Sequence, residues 1–201
     1  MRTPFSTGTV LALTALLAAV VVVGATVLVG ATGLSWRLPS STGSSGGGLN
    51  GSPTVYRNLT ISYDPSYGDY VYTPTQLTVP ADVVVVFTIV NYDPMAAALP
   101  SPSYAVVSGT MNGRMMVSYG TNETSVGALP PTDVSHTFTM SGPYYQVNVP
   151  VPPAAPGGSP ARVTFSMVFH FPGAYFPWGC DAFCGGPMMA RMYGSLAVEP
   201  A

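Results

Sequence analysis

Charge is what this chain has least of. Of its 201 residues only 8 are Asp or Glu and 6 are Lys or Arg, 7% in all, against about 25% in an ordinary soluble domain. The basic residues form no stripe, which excludes a nucleic-acid partner, because phosphate contact needs clustered Lys and Arg. The acids supply no paired carboxylates, and neither a Ser/His/Asp set nor a phosphate-binding loop is present, so the chain carries no catalytic machinery of its own. After Trp36 no segment shows a helical period, which removes helical bundles and α/β folds. A surface so poor in charge suits strong acid outside the cell, where carboxylates would protonate and basic groups would be left to repel one another. An ordinary exported β-domain rich in Ser, Thr and Tyr is the other reading.

What is present begins with an apolar N-terminus. From Thr3 to Trp36 there is no charged residue, and residues 10–29 (VLALTALLAAVVVVGATVLV) are long enough to cross a hydrocarbon core at helical rise. Residues 1–37 are therefore expected to be a single transmembrane helix. The alternative is a cleaved signal peptide, with Ala25 or Ala31 at the cleavage site. Residues 38–53 read as a Gly/Ser tether, and residues 54–201 as a domain on the extracellular side of the cell membrane. The sequons Asn58-Leu-Thr and Asn122-Glu-Thr suit an exported chain.

From Thr54 the hydrophobic period is two. Residues 54–63 alternate as an amphipathic strand. Residues 70–73 form a short strand, Pro80-Ala-Asp a turn, and residues 83–90 a strand apolar on both faces, as at the centre of a sandwich. Residues 92–132 read as an irregular insertion with one hairpin at Asn112-Gly113. Further strands are expected at 162–171 and 193–199. The fold class is all-β, a sandwich or barrel.

The chemistry gathers near the end of the chain. Residues 172–199 hold the only two cysteines, Cys180 and Cys184, and three of the ten methionines, Met188, Met189 and Met192. Soft thiolate and thioether donors select copper, above all Cu(I). The bland reading of the cysteines is a disulfide, since an exported domain sits in an oxidising compartment.

Five motifs in order carry a resemblance. They are Tyr-x-Pro-x-x-Leu-x-Val-x-x-Asp-Val-x-x-x-Phe-x-Ile-x-Asn (72–91), Asp-Val-x-His-x-Phe (133–138), Phe-x-x-Pro-Gly-x-Tyr (169–175), Cys-x-x-x-Cys-Gly (180–185) and Met-Tyr-Gly-x-Leu-x-Val-Glu (192–199). Together they resemble the cupredoxins, and among these the dicopper (CuA) domain of subunit II of haem–copper terminal oxidases. The resemblance implies a Greek-key β-sandwich with its copper loops at one end. It matches Cys180 and Cys184 to bridging thiolates, His136 to an imidazole ligand, Met192 to a weak thioether and the Ala182 carbonyl to a backbone oxygen ligand. The family's second histidine is missing, and Met188 or Met189 stands near its place. A thioether cannot be protonated, so the exchange would keep a ligand in acid and favour Cu(I); degeneration of the site is the alternative. His170 is expected at the surface rather than on the metal.

Three functions follow from the resemblance. One is a membrane-anchored electron carrier with a CuA-like dinuclear or a mononuclear copper site. It would take electrons from an extracellular donor protein or a membrane quinol and pass them to terminal oxidase subunit I. The second is a copper-free structural subunit II of a quinol oxidase. The third is an extracellular Cu(I)-binding module.

Overall fold

The computed structural model describes residues 53–183 and 192–201; the expected transmembrane helix, nearly all of the tether, Cys184, Met188 and Met189 lie outside the described residues. Among the described residues no helix is long and apolar enough to cross a membrane.

Among the described residues eleven strands form two mixed sheets. β1 (Thr54–Asp64), β2 (Asp69–Thr73), β4 (Val84–Asn91), β5 (Met115–Tyr119), β6 (Asn122–Val126) and β9 (Ala161–Val168) make one, in the order β2-β1-β4-β9-β5-β6. β3 (Gln76–Pro80), β7 (His136–Ser141), β8 (Gln146–Val151), β10 (Tyr175–Gly179) and β11 (Tyr193–Glu199) make the other, in the order β3-β11-β10-β7-β8. Each sheet has one parallel pair, β1 with β4 and β3 with β11. The all-β sandwich expected from the period-two patterning is thus present.

The alternation decides which face meets the core. On β4, Val85, Phe87 and Ile89 are buried, while Val84, Val86, Thr88 and Val90 are half-buried. The strand is central in its sheet, between β1 and β9. Between the sheets the rings of Phe87 and Phe165 stack at 5.2 Å, and Phe138 stacks on Trp178 at 5.2 Å. Phe138 lies 5.8 Å from Phe87 and 5.6 Å from Phe165, joining the sheets. Each such pair contributes about 0.5–1.5 kcal/mol beyond its buried area.

The stretch 92–132 is more regular than its sequence suggested. It contains β5 and β6, which extend the first sheet beyond β9. Their hairpin closes at Gly120-Thr121, where Tyr119 pairs with Asn122 and Gly120 has φ +61°. Asn112-Gly113 is instead a turn leading into β5, with the Arg114 N–H donating to Asn112 Oδ1. The β5–β6 register, with Tyr119 opposite Asn122, places the hairpin at Gly120-Thr121 rather than at Asn112-Gly113. The preceding segment lies along β7 and β8. Ala97 N–H donates to the Val134 carbonyl, and Asn148 Nδ2 donates to those of Tyr104 and Val106. Gly109 is required there, with φ +74°, because a Cβ would overlap the backbone at Gln146. Both sequon asparagines, Asn58 and Asn122, are exposed.

Candidate metal site

Three strand ends converge at one pole of the sandwich. β4 finishes at Asn91, β7 starts at His136, and β10 finishes at Gly179, just before Cys180. The β7–β10 register, Thr139 opposite Gly179, brings Cys180 beside the start of β7. Two threonines of β7 hold it. Thr139 Oγ1 donates to the Gly179 carbonyl at 2.7 Å, and Thr137 Oγ1 accepts the Asp181 N–H at 2.8 Å. Both are buried, so these bonds satisfy hydroxyls that would otherwise be costly in the interior.

Cys180 Sγ therefore faces His136. The Sγ to Nδ1 distance is 3.9 Å, and the Thr137 N–H donates to the sulfur at 3.4 Å. Cys180 is 0% and His136 3% exposed. The Ala182 carbonyl lies 4.0 Å from the sulfur. Met192 is buried, and its carbonyl accepts the Cys180 N–H at 2.9 Å. The structure thus brings together four of the seven residues singled out by sequence: His136, Cys180, Ala182 and Met192. Among the described residues no group of three or more His, Cys, Asp or Glu could hold a metal.

Asp93 is the residue that sequence reasoning missed. His136 Nε2 donates to its Oδ2 at 2.9 Å, and both groups are buried. Asp93 is itself fixed: its Oδ1 accepts the Met95 N–H, and its own N–H donates to Asn91 Oδ1. Asn91 Nδ2 donates to the Pro152 carbonyl at 2.9 Å. The signal was Asn-x-Asp directly after an apolar strand, a pattern that builds an Asx-type turn and aims a carboxylate back at the strand end. A carboxylate on Nε2 sets the tautomer and leaves Nδ1 for a metal, the arrangement usual behind ligating histidines.

The charge balance around His136 has a definite direction. Burial pulls its pKa down, but the bonds to Asp93 and Cys180 and their charges outweigh that, and the pKa is raised above the ordinary 6.5. Beside this pair opens a cavity of about 410 Å³, lined by Tyr63, Asp69, Tyr70, Asp93, Met95 and His136 among others.

The residues present fit a soft metal. With metal–sulfur and metal–nitrogen bonds of about 2.3 and 2.0 Å, a thiolate and an imidazole nitrogen on one ion stand roughly 3.5–3.9 Å apart at angles of about 109–130°. The observed 3.9 Å falls at the upper end of that span.

His170 lies at the other pole, where its Nδ1 pairs with Asp82 Oδ1 at 2.8 Å and both side chains are largely exposed. This is the surface position expected from sequence.

No protein-family model and no curated protein matches the chain. Solved structures do. Reduced rusticyanin is 13% identical, with 73% of this chain and 79% of that chain covered at a TM-score of 0.41. Auracyanin A, a blue copper protein from Chloroflexus aurantiacus, is 12% identical, with 73% and 100% covered at a TM-score of 0.36. Auracyanin B is 14% identical, with 75% and 92% covered at a TM-score of 0.33. These likenesses are loose, and the fit to a metal rests on the His136–Cys180 geometry.

Proposed function

We propose that this chain is an exported copper electron-transfer protein of cupredoxin-like Greek-key fold. It is held in the cell membrane by residues 1–37 and passes electrons from an extracellular donor towards a haem–copper terminal oxidase, in the manner of subunit II. The observation that carries the copper reading is the buried thiolate–imidazole pair, with its outer nitrogen held by Asp93. Copper supplies a one-electron couple when bound. The chain's own residues supply the rest: Thr137 N–H steadies the sulfur, Asp93 orients the ring, and two sheets keep both fixed. A site so constrained changes little between oxidation states, which favours electron transfer over ligand exchange. The Cys-x-x-x-Cys spacing supports a CuA-like dinuclear centre, while the single His–Cys pair among the described residues supports a mononuclear one. The 20-residue apolar stretch supports anchoring, and the order of motifs supports the oxidase partnership.

The test is copper loading of residues 53–201, followed by visible absorption and electron paramagnetic resonance. Intense thiolate-to-copper bands, lost in Cys180→Ser and in His136→Ala, are expected. Hyperfine splitting shared over two nuclei means a dinuclear centre; splitting confined to one means a mononuclear centre. Absence of the bands overturns the electron-carrier reading and leaves the copper-free structural subunit. Weak, exchangeable Cu(I) binding without redox cycling leaves the Cu(I)-binding module.

A further inference from the structure

The asparagines of the described residues are of two kinds. Asn91, Asn112 and Asn148 use their carboxamides to hold the fold. Asn91 Oδ1 accepts the Asp93 N–H, Asn112 Oδ1 accepts the Arg114 N–H, and Asn148 Nδ2 donates to the Val106 carbonyl. None of the three has Ser or Thr two residues on. Asn58 and Asn122 are the other kind. Each has Thr two residues on, both are exposed, and among the described residues neither carboxamide is hydrogen-bonded. The asparagines left without a part in the fold are those that stand in acceptor sequons for N-linked sugar.

The fold presents the two sequons differently. Asn122 opens β6, directly after the Gly120-Thr121 turn. Residues 120–125 are all exposed, so the asparagine and the hydroxyl of Thr124 are accessible together. Such hairpin tips are where modifying enzymes reach a folded chain. Asn58 instead lies within β1, opposite Thr88 of β4, and its Thr60 is half-buried opposite Thr73 of β2.

β6 also has a reason to be covered. It is the last strand of its sheet, and among the described residues no further strand pairs with it. An open edge is a template for pairing with another chain, and proteins commonly blunt it with charge, above all with lysine. This chain has no lysine. The strand's own charge is Glu123 alone, and Arg114 covers the far end, where it donates to Ser125 Oγ and to the Ser125 carbonyl. The Asn122 end has no such cover among these contacts.

We propose that Asn122 carries an N-linked oligosaccharide that shields the open edge of β6. The proposal rests on the export reading above, whether the N-terminus is retained or cleaved. The donor is an oligosaccharide linked through phosphate to a lipid. Asn122 Nδ2 bonds to C1 of the sugar, the bond from C1 to the phosphate oxygen breaks, the amide nitrogen gives up one proton, and the lipid phosphate leaves. The product is a bulky, solubilising surface group. Its hydroxyls hydrate the surface without charge, so the shield persists in acid, where a carboxylate would lose its charge.

The test is glycopeptide mass spectrometry on the full chain purified from the cells that make it, with sedimentation to read self-association. A sugar mass on the Asn122 peptide is expected, at an occupancy several-fold above that of Asn58. Thr124→Ser keeps the sequon and should keep the sugar. Thr124→Ala keeps the asparagine, should lose the sugar, and should raise the self-associated fraction several-fold. A bare Asn122 on exported chain overturns the proposal, as does sugar confined to Asn58 or to Asn50-Gly-Ser, a sequon outside the described residues. Unchanged self-association in Thr124→Ala overturns the shielding role. Recovery of the chain from the cytosolic fraction would instead overturn the export reading on which the proposal depends.

Discussion

Replacing Asp93 by alanine removes the buried carboxylate that accepts from His136 Nε2, and its cost can be worked out in two ways. The bond is 2.9 Å long between two buried groups, one a carboxylate, and a hydrogen bond of that kind contributes about 1.5–3 kcal/mol. Loss of an outer partner of a ligating histidine costs about 10–100-fold in metal affinity, or roughly 1.4–2.8 kcal/mol at 1.4 kcal/mol per tenfold. The first figure bears on the stability of the metal-free protein and the second on copper affinity, so the two are to be measured separately. Asp93→Asn keeps an acceptor for Nε2–H and should recover most of the affinity, while altering the copper reduction potential through the lost charge. Competition for Cu(I) against a chromogenic chelator at fixed pH measures the affinity, and nitrogen NMR of the metal-free imidazole reports the tautomer. Nε2–H is expected in the wild type and a mixture in Asp93→Ala. The orientation argument would be falsified if Asp93→Ala bound copper as tightly as the wild type and kept a single tautomer.

Other outcomes follow from the same contacts. Because the folded His136 pKa is raised, its contribution to metal-free stability is full below pH 6.5 and fades as pH rises through the folded value. Thermal melts of wild type against His136→Gln should converge at high pH, and divergence there refutes the sign. Copper binding displaces a proton from the same site, so affinity should fall with falling pH over that window, as proton release on loading would show. Gly194→Ala places a Cβ against the Thr75 carbonyl and the Trp178 ring, and overpacking of this kind costs about 1–3 kcal/mol; a urea midpoint unchanged from wild type would contradict it. His170→Ala removes an exposed pair worth at most about 1 kcal/mol and should leave copper spectra unaltered; altered bands would mean that the far pole communicates with the site.

Much of the sandwich was legible because its strands repeat every second residue. Val85, Phe87 and Ile89 are buried in the alternation that their spacing implies. The paired strands within 92–132 were harder to read, because Met116, Ser118 and Glu123 to Ser125 look like loop residues when one face is solvent and the other meets a neighbour only in three dimensions. Cys180 and His136 were legible through their chemistry and scarcity. Asp93 was not, because one carboxylate among eight says nothing until the fold brings it 43 residues along to an imidazole. His170 was legible as well: its alternation in the strand pointed to the surface, and there, beyond the end of β9, it pairs with Asp82.

The parallel pairing of β11 with β3 sets an order of events during synthesis. Leu196 finds its partner in Leu77, far back in the chain, and such non-local closure is slow because the loop entropy is lost before the contact is gained. Met192, whose carbonyl braces Cys180, lies immediately before β11. The bond from the Cys180 N–H to the Met192 carbonyl is therefore secured only once β11 has docked between β3 and β10. Until that strand is in place, Cys180 lacks the brace that holds its sulfur beside His136, so the pairing of thiol and imidazole is a property of the completed sandwich.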